Sequence, residues 1–382
     1  VAWTERYVRS DAAGGGDGTT TANSGANGAW TLAEAITNEA AGMRINVRAG
    51  TYASTSTSRT LAATGTQTAP IWWRGVDSSF GAIADSNGAA TAGTDIPELT
   101  FSTGQLVIGG NYHIVSNIAS SGAQTTNGQI RVNGQGCTLF RVRSTCTSSN
   151  ANGCAFSLGS GANGSSLVAC YGSSNALADV YTFSGSASLI GCIASGGKDG
   201  FALSTLSVQL FACIARGCAN DGIKSAVTTS TIQTIVNCSI YDVDGHGIEF
   251  SGSISSALLT VANCHFEGCN QSGKAGIANT SGGNLYSAHL VGNSYRDCTS
   301  NTSGITESFL LADNGTVGGS GYTDPTNNDF NATTYLKGIG FPGQFEYRSG
   351  NVGYFDTGAV QRVEPAAGGL LRSPGMRGGV DG

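Results

Sequence analysis

Four residues near the middle of the chain have types and spacing that could move protons. Asp199, Asp221 and His246 each stand directly before a glycine, in Lys198-Asp-Gly-Phe201, Asn220-Asp-Gly-Ile223 and Gly245-His-Gly-Ile248, and Asp244 lies two residues before His246. If the three glycines mark equivalent turns of a repeat, the preceding side chains fall into one row. Neighbours in that row would sit one strand spacing apart, ~4.8 Å. That is near the carboxyl separation of retaining glycosidases, while two rungs, ~10 Å, is at or beyond the inverting range. Carboxyls held so close raise one another's pKa, as a general acid requires. The plainer reading is that Asp before Gly is turn chemistry on an exposed corner, and on sequence alone it stands first.

The elements that would position this row are repeats. Leu167-Val-Ala-Cys170, Leu189-Ile-Gly-Cys192, Leu210-Phe-Ala-Cys213, Ile235-Val-Asn-Cys238 and Val261-Ala-Asn-Cys264 share one pattern, and Leu290-Val-Gly-Asn293 continues it with Asn for Cys. His113–Ile118 and Cys137–Phe140 read as earlier, weaker members. Successive cysteines are 22, 21, 25 and 26 residues apart, then 29 to Asn293. A period in the twenties with variable insertions marks a solenoid. Segments of four to six apolar residues between Gly turns are too short for helical hairpins and suit strands. The expected fold is all-β, a right-handed parallel β-helix whose like residues stack in ladders. Cys192, Cys213 and Cys238 should then face inward, unbridged, with Cys218, Cys269 and Cys298 at the following turn. An odd total of 11 cysteines agrees with reduced thiols rather than a disulfide framework.

Composition narrows the function classes. Only 12% of residues are charged and the net charge is −6, while 40% are hydrophobic and 58 are Gly. Such a chain folds, and does so through many tight turns. Its four lysines (Lys198, Lys224, Lys274, Lys337) and scattered arginines form no basic stripe, which argues against nucleic acid. No apolar run is long enough for a membrane span, and no signal peptide is visible at Val1–Arg6.

The two ends differ from the repeat. Thr31 and Glu34 form a capping-box pattern, so a helix is expected from about Leu32 to Ala41, covering the first rung of strands. The expected organisation is 1–43 strand, loop and capping helix, 44–310 β-helix, 311–363 an aromatic-rich C-terminal cap, and 364–382 a Gly-rich tail. In that tail, Leu370, Leu371, Arg372 and Arg377 are the expected anchors on a neighbouring subunit.

Tyr7–Asp11, the Gly14–Thr21 loop, Thr31–Ile36 and Ile45–Tyr52, together with Tyr354–Gln361, resemble the opening and closing stretches of right-handed parallel β-helix repeat proteins of bacteria and phages. That resemblance implies the fold over about residues 7 to 361. It admits polysaccharide lyases, glycosidases, adhesins and phage spike, fibre or capsid-decoration proteins. Pectate lyases among them hold Ca²⁺ on several acidic residues beside an Arg or Lys base, a picture that Asp199, Asp221 and Asp244 with Lys198 and Lys224 could supply. Gly245-His-Gly247 is similar to an element of polygalacturonases, but the accompanying Asn-Thr-Asp, Asp-Asp and Arg-Ile-Lys are missing. His113, His265 and His289 read as structural, isolated from Cys or carboxylate partners, and of Trp72-Trp73 one ring should face outward.

Two readings remain. The first is a non-catalytic, self-associating virion or cell-surface component without a cofactor. The second is a polysaccharide lyase or glycoside hydrolase acting on a surface glycan through Asp199, Asp221, Asp244 and His246, with Ca²⁺ as the one ion those acids would suit.

Overall fold

Leu32 begins the one helix of the described residues, because the Thr31 hydroxyl accepts the Glu34 amide while the Glu34 carboxylate takes the Thr31 amide. The structure, a computed structural model, describes residues 2–305 except 55–56, 84–91, 205–206, 227–231, 253–257, 270–272 and 282–287. It also describes the backbone at 310–311, 315–316, 322–324 and 329–332. The aromatic cap for the most part, and Leu370, Leu371, Arg372 and Arg377 entirely, lie outside the described residues. The helix stops at Asn38, three residues earlier than expected. Glu39 ends it by turning its carboxylate inward, where it accepts from Trp73 Nε1 (2.8 Å) and the Ala63 amide (3.0 Å) and meets His113 Nε2 (3.3 Å).

Behind the helix the chain winds as a parallel β-helix of three sheets, with twelve, eleven and ten strands. Each coil lays one strand on each sheet in turn, and every neighbour pairing within these sheets is parallel. In the first sheet Leu139, Leu167, Leu189, Leu210, Ile235, Val261 and Leu290 stack directly on one another. In the third sheet Phe156, Tyr181 and Phe201 stack, with ring centroids 4.8 and 4.9 Å apart. The core is therefore a set of ladders, and a one-residue slip of any rung would turn a whole strand inside out.

The corner from first to second sheet explains the repeat. Asn117, Arg141, Ala169, Ala212, Asn237 and Asn263 have φ between 51° and 54°, and Gly191 and Gly292 occupy the same left-handed position. The next residue points inward. Cys170, Cys192, Cys213, Cys238 and Cys264 are each at most 1% exposed and unbridged, as expected. Each thiol donates to a carbonyl of the rung before it, as Cys192 does to Leu167 O (3.4 Å) and Cys213 to Leu189 O (3.6 Å). Asn293 does the same job with its carboxamide: Nδ2 donates to Val261 O (3.0 Å) and Oδ1 accepts from the Cys264 amide (3.0 Å). In the earlier repeats Ile118 and Val142 fill this place. Cys137 does not, since it precedes its strand rather than following it.

Two expectations about histidines need correction. His113 and His265 are fully buried, and each has a carboxylate partner, Glu39 and Glu267 respectively, at 3.3 Å. Glu39 comes from the end of the cap helix, 74 positions from His113, where no sequence pattern links them. Glu267 stands two residues after His265 on the same strand, a pair that the sequence did place side by side. Trp73 points inward and is 2% exposed. Trp72 faces outward, as expected of one of the two rings, with Trp3 at 5.6 Å and the Arg44 guanidinium 5.3 Å from its ring.

Candidate functional site

The second corner of interest leads into the third sheet. Tyr181, Phe201, Ile223 and Ile248 are register partners at the start of its strands. Two residues earlier on each rung stand Asp179, Asp199, Asp221 and His246. The backbone confirms the row: the amides of Val180, Gly200 and Gly222 donate to the carbonyls of Asp199, Asp221 and His246. Asp199 and Asp221 are 1% exposed and His246 is 6% exposed. The expected exposed corner is thus overturned, because the turn is tucked under its neighbours.

Packing, not turn geometry, demands glycine here. A Cβ on Gly200 would lie 2.5 Å from Gly222 O, and one on Gly222 would lie 2.6 Å from Ile240 Cγ2. Neither is a distance that real side chains tolerate. Asp179 is followed by Val180, so the Asp-Gly pattern does not flag it. Only counting back from Tyr181, the residue stacked on Phe201, could have found this fourth member of the row.

Buried carboxylates need partners, and Asp199 and Asp221 have them. Asn220 Nδ2 bridges Asp199 Oδ1 (2.7 Å) and Asp221 Oδ2 (2.9 Å). The Asp221 amide also donates to Asp199 Oδ1 (3.1 Å), and the His246 amide to Asp221 Oδ1 (2.8 Å). Lys198 Nζ lies 3.7 Å from Asp199 Oδ2. One strand further on, Lys224 and Glu249 are register partners on the outward face of the third sheet. Lys224 Nζ is 2.7 Å from Glu249 Oε2 and 3.6 Å from Asp221 Oδ2, and Thr280 Oγ1 donates to Glu249 Oε1 (2.9 Å). Sequence reasoning passed over Glu249 because it lies in a strand with no motif around it.

These surroundings drive the carboxyls apart. Burial, and then the neighbouring Glu249, push Asp221 up to about 7. Burial and the charge of Asp199 push Asp179 up to about 6. Burial opposes ionisation of Glu249 too, but Lys224, Asp221 and Thr280 outweigh it and hold that carboxyl down at about 2. Burial likewise works against the Lys224 ammonium, yet Glu249, Asp199 and Asp221 raise it. His246 is lowered by burial and by Lys274. Its Nδ1 accepts the Ala275 amide (3.0 Å), so the ring is neutral with the proton on Nε2. Asp244 does not join the buried row; it is exposed on the turn, with its amide bound to Cys218 O.

The acids do not form a calcium cage. Ca²⁺ takes six to eight oxygens at ~2.3–2.6 Å. Here the oxygens of Asp199, Asp221 and Glu249 already face Asn220, backbone amides, Thr280 or a lysine ammonium. Among the described residues no group of three or more His, Cys, Asp or Glu is arranged to hold a metal. What the arrangement offers is a proton-holding carboxyl and an ionised one on adjacent rungs, with a cation between them.

No family profile matches this sequence, and no curated protein matches it. Among solved structures, pectate lyase Pel9A superposes with a TM-score of 0.59 at 13% identity, covering 95% of this chain and 97% of that one. That likeness shows the shared parallel β-helix fold. The PL6 family polysaccharide lyase Pedsa3628 from Pseudopedobacter saltans gives 0.38 at 13% identity, over 78% of this chain and 93% of that one. The PL6 family alginate lyase AlyGC gives 0.33 at 11%, over 87% of this chain and 58% of that one.

Proposed function

We propose that this chain cleaves an acidic polysaccharide lying across the outward face of the third sheet. The observation that carries the proposal is the pairing of Asp221, at about 7, with Glu249, at about 2, on adjacent rungs around the Lys224 ammonium. Pairs of carboxyls driven to opposite sides of their ordinary range are how one site holds an acid and a base together at neutral pH. Lys198, Lys224 and Lys274, three of the chain's four lysines, lie along this edge and supply positive charge for a uronate. The pectate-lyase fold shared with Pel9A supports the substrate class.

In this reading Glu249 and Lys224, the partly exposed members, meet the sugar. Lys224 pairs with the uronate carboxylate, and Glu249 takes the proton from the carbon beside it. A carbon–carbon double bond forms as the bond to the glycosidic oxygen breaks, the leaving oxygen taking up a proton for which Asp221 is the source. Asp221, buried behind them, is the proton store. A second reading, hydrolysis, follows from the one-rung offset of Asp199 and Asp221, ~4.8 Å, near the separation retaining glycosidases use. A virion or surface scaffold that self-associates is a further proposal, resting on tail residues outside the described part; neither the site nor the comparisons support it.

The test is incubation with a panel of uronate-containing and neutral polysaccharides, following unsaturated ends and reducing ends separately. Unsaturated ends from uronate polymers, lost in Glu249→Gln and reduced at least ~10²-fold in Asp221→Asn, are expected. Reducing ends alone would assign hydrolysis. No product from any polymer sinks the enzyme reading.

A further inference from the structure

The resemblance to pectate lyases calls for a divalent cation among the acids of this row, and the structure puts something else there. The Lys224 ammonium, on the third sheet, lies 2.7 Å from Glu249 Oε2 and 3.6 Å from Asp221 Oδ2, and it also feels the charge of Asp199. Two carboxyl groups, one from its own rung and one from the next, therefore contact one amine, and the charge of a third, Asp199 on the rung before, acts on it as well. Its register partner on the preceding rung is Ala202, whose methyl leaves the amine room beside the Asp199 rung. Lys198 balances Asp199 from the other side, and Asn220 ties Asp199 to Asp221.

We propose that Lys224 is a tethered counter-cation, which holds this acidic row together in the place where related sites would use a bound metal ion, so that the site is complete without one. This deepens the polysaccharide-cleaving reading, but its test needs no substrate. An ammonium carries one charge and donates hydrogen bonds, and it cannot be removed by a chelator or diluted away. A divalent ion would have to displace it and also break the Asn220 bridge to gain enough oxygens. Lys224 is a positioning residue for Asp221 and Glu249 here, whatever it also does to a sugar.

The experiment compares thermal unfolding of the native chain, Lys224→Met and Lys224→Arg, each in EDTA and in millimolar calcium. The native chain should melt at the same temperature in both. Lys224→Met should melt lower in EDTA by about 3 °C or more and recover part of the loss in calcium, which now finds the vacated carboxylates. Lys224→Arg should keep most of the native melting temperature and ignore calcium. A saturable calcium shift of the native chain overturns the proposal, as does a Lys224→Met chain that melts like the native one or that calcium leaves unchanged. If Lys224→Met does not fold, the native and Lys224→Arg measurements still decide it. Absence of glycan cleavage would defeat the proposed activity and leave these outcomes untouched.

Discussion

Two columns of this solenoid are built on the same geometry and solve opposite problems. The cysteine column at the first corner runs through Cys170, Cys192, Cys213, Cys238 and Cys264, all buried in apolar surroundings. The acidic column at the entry to the third sheet runs through Asp179, Asp199 and Asp221 to His246, on overlapping coils. A thiol asks little of its neighbours, and one carbonyl of the rung before satisfies it, so the column repeats with few changes. Burial pushes Cys170, Cys192, Cys213 and Cys238 well up, so they stay neutral and unreactive. A buried carboxylate is costly until amides, an asparagine and ammonium groups converge on it. The acidic column accordingly recruits Asn220, Lys198, Lys224 and Glu249 from outside itself. A column that demands so much from its surroundings is where the molecule departs from pure repetition, and where chemistry becomes available.

The comparison can be broken by exchanging the two environments. Cys213→Asp would put an unpaired charge in the apolar column and should cost ~3–5 kcal/mol, measured by urea unfolding at neutral pH. If that variant were as stable as the native chain, Cys213 would not be packed as described.

A smaller effect, but a more pointed one, separates the two acids by pH. Asp221 has its folded pKa, about 7, above the unfolded value. Its contribution to stability is therefore full below about pH 4 and is lost as pH rises through 7. Glu249, held at about 2, has the opposite sign, contributing above the unfolded value near ~4.3 and losing that contribution as pH falls towards 2. Asp221→Asn should therefore gain on the native chain as pH rises from 4 past 7. Glu249→Gln should be least harmful at the acid end. Unfolding curves across that range in which both variants move the same way would remove the acid–base assignment.

Asn293→Ala sharpens the other side of the comparison. It leaves the Cys264 amide and Val261 carbonyl without their carboxamide partner, at ~1–3 kcal/mol, whereas Asn293→Cys should recover part of that by restoring the thiol contact. The smallest effect belongs to the outward face of the first sheet, where Ile190 is 45% exposed. Ile190→Ser should change the unfolding free energy by no more than ~0.5 kcal/mol in the isolated chain. A larger loss would mean that this face is covered in solution.

The sequence by itself determined the coil. A repeat of 21 to 29 residues, with an inward residue after each left-handed turn, is a local pattern, and strand stacking converts it into a solenoid with little freedom left. The unbridged cysteines, the Thr31–Glu34 cap and the in-register row of Asp199, Asp221 and His246 were legible for that reason. What the row is worth was not legible. Whether Asp-Gly sits on an exposed corner or under the next rung depends on Ile240 and Gly222 of other coils, and that decided between turn chemistry and buried acids. Asp179 was hidden because Val180 replaces the expected glycine, and Glu249 because a lone acid in a strand carries no signal. Only the tertiary structure brings Lys224 between Asp221 and Glu249, since their separation across successive rungs is set by where each insertion ends. Charge balance in a buried site is a property of convergence in space, and residues converge there from coils that are 21 to 29 positions apart in the chain.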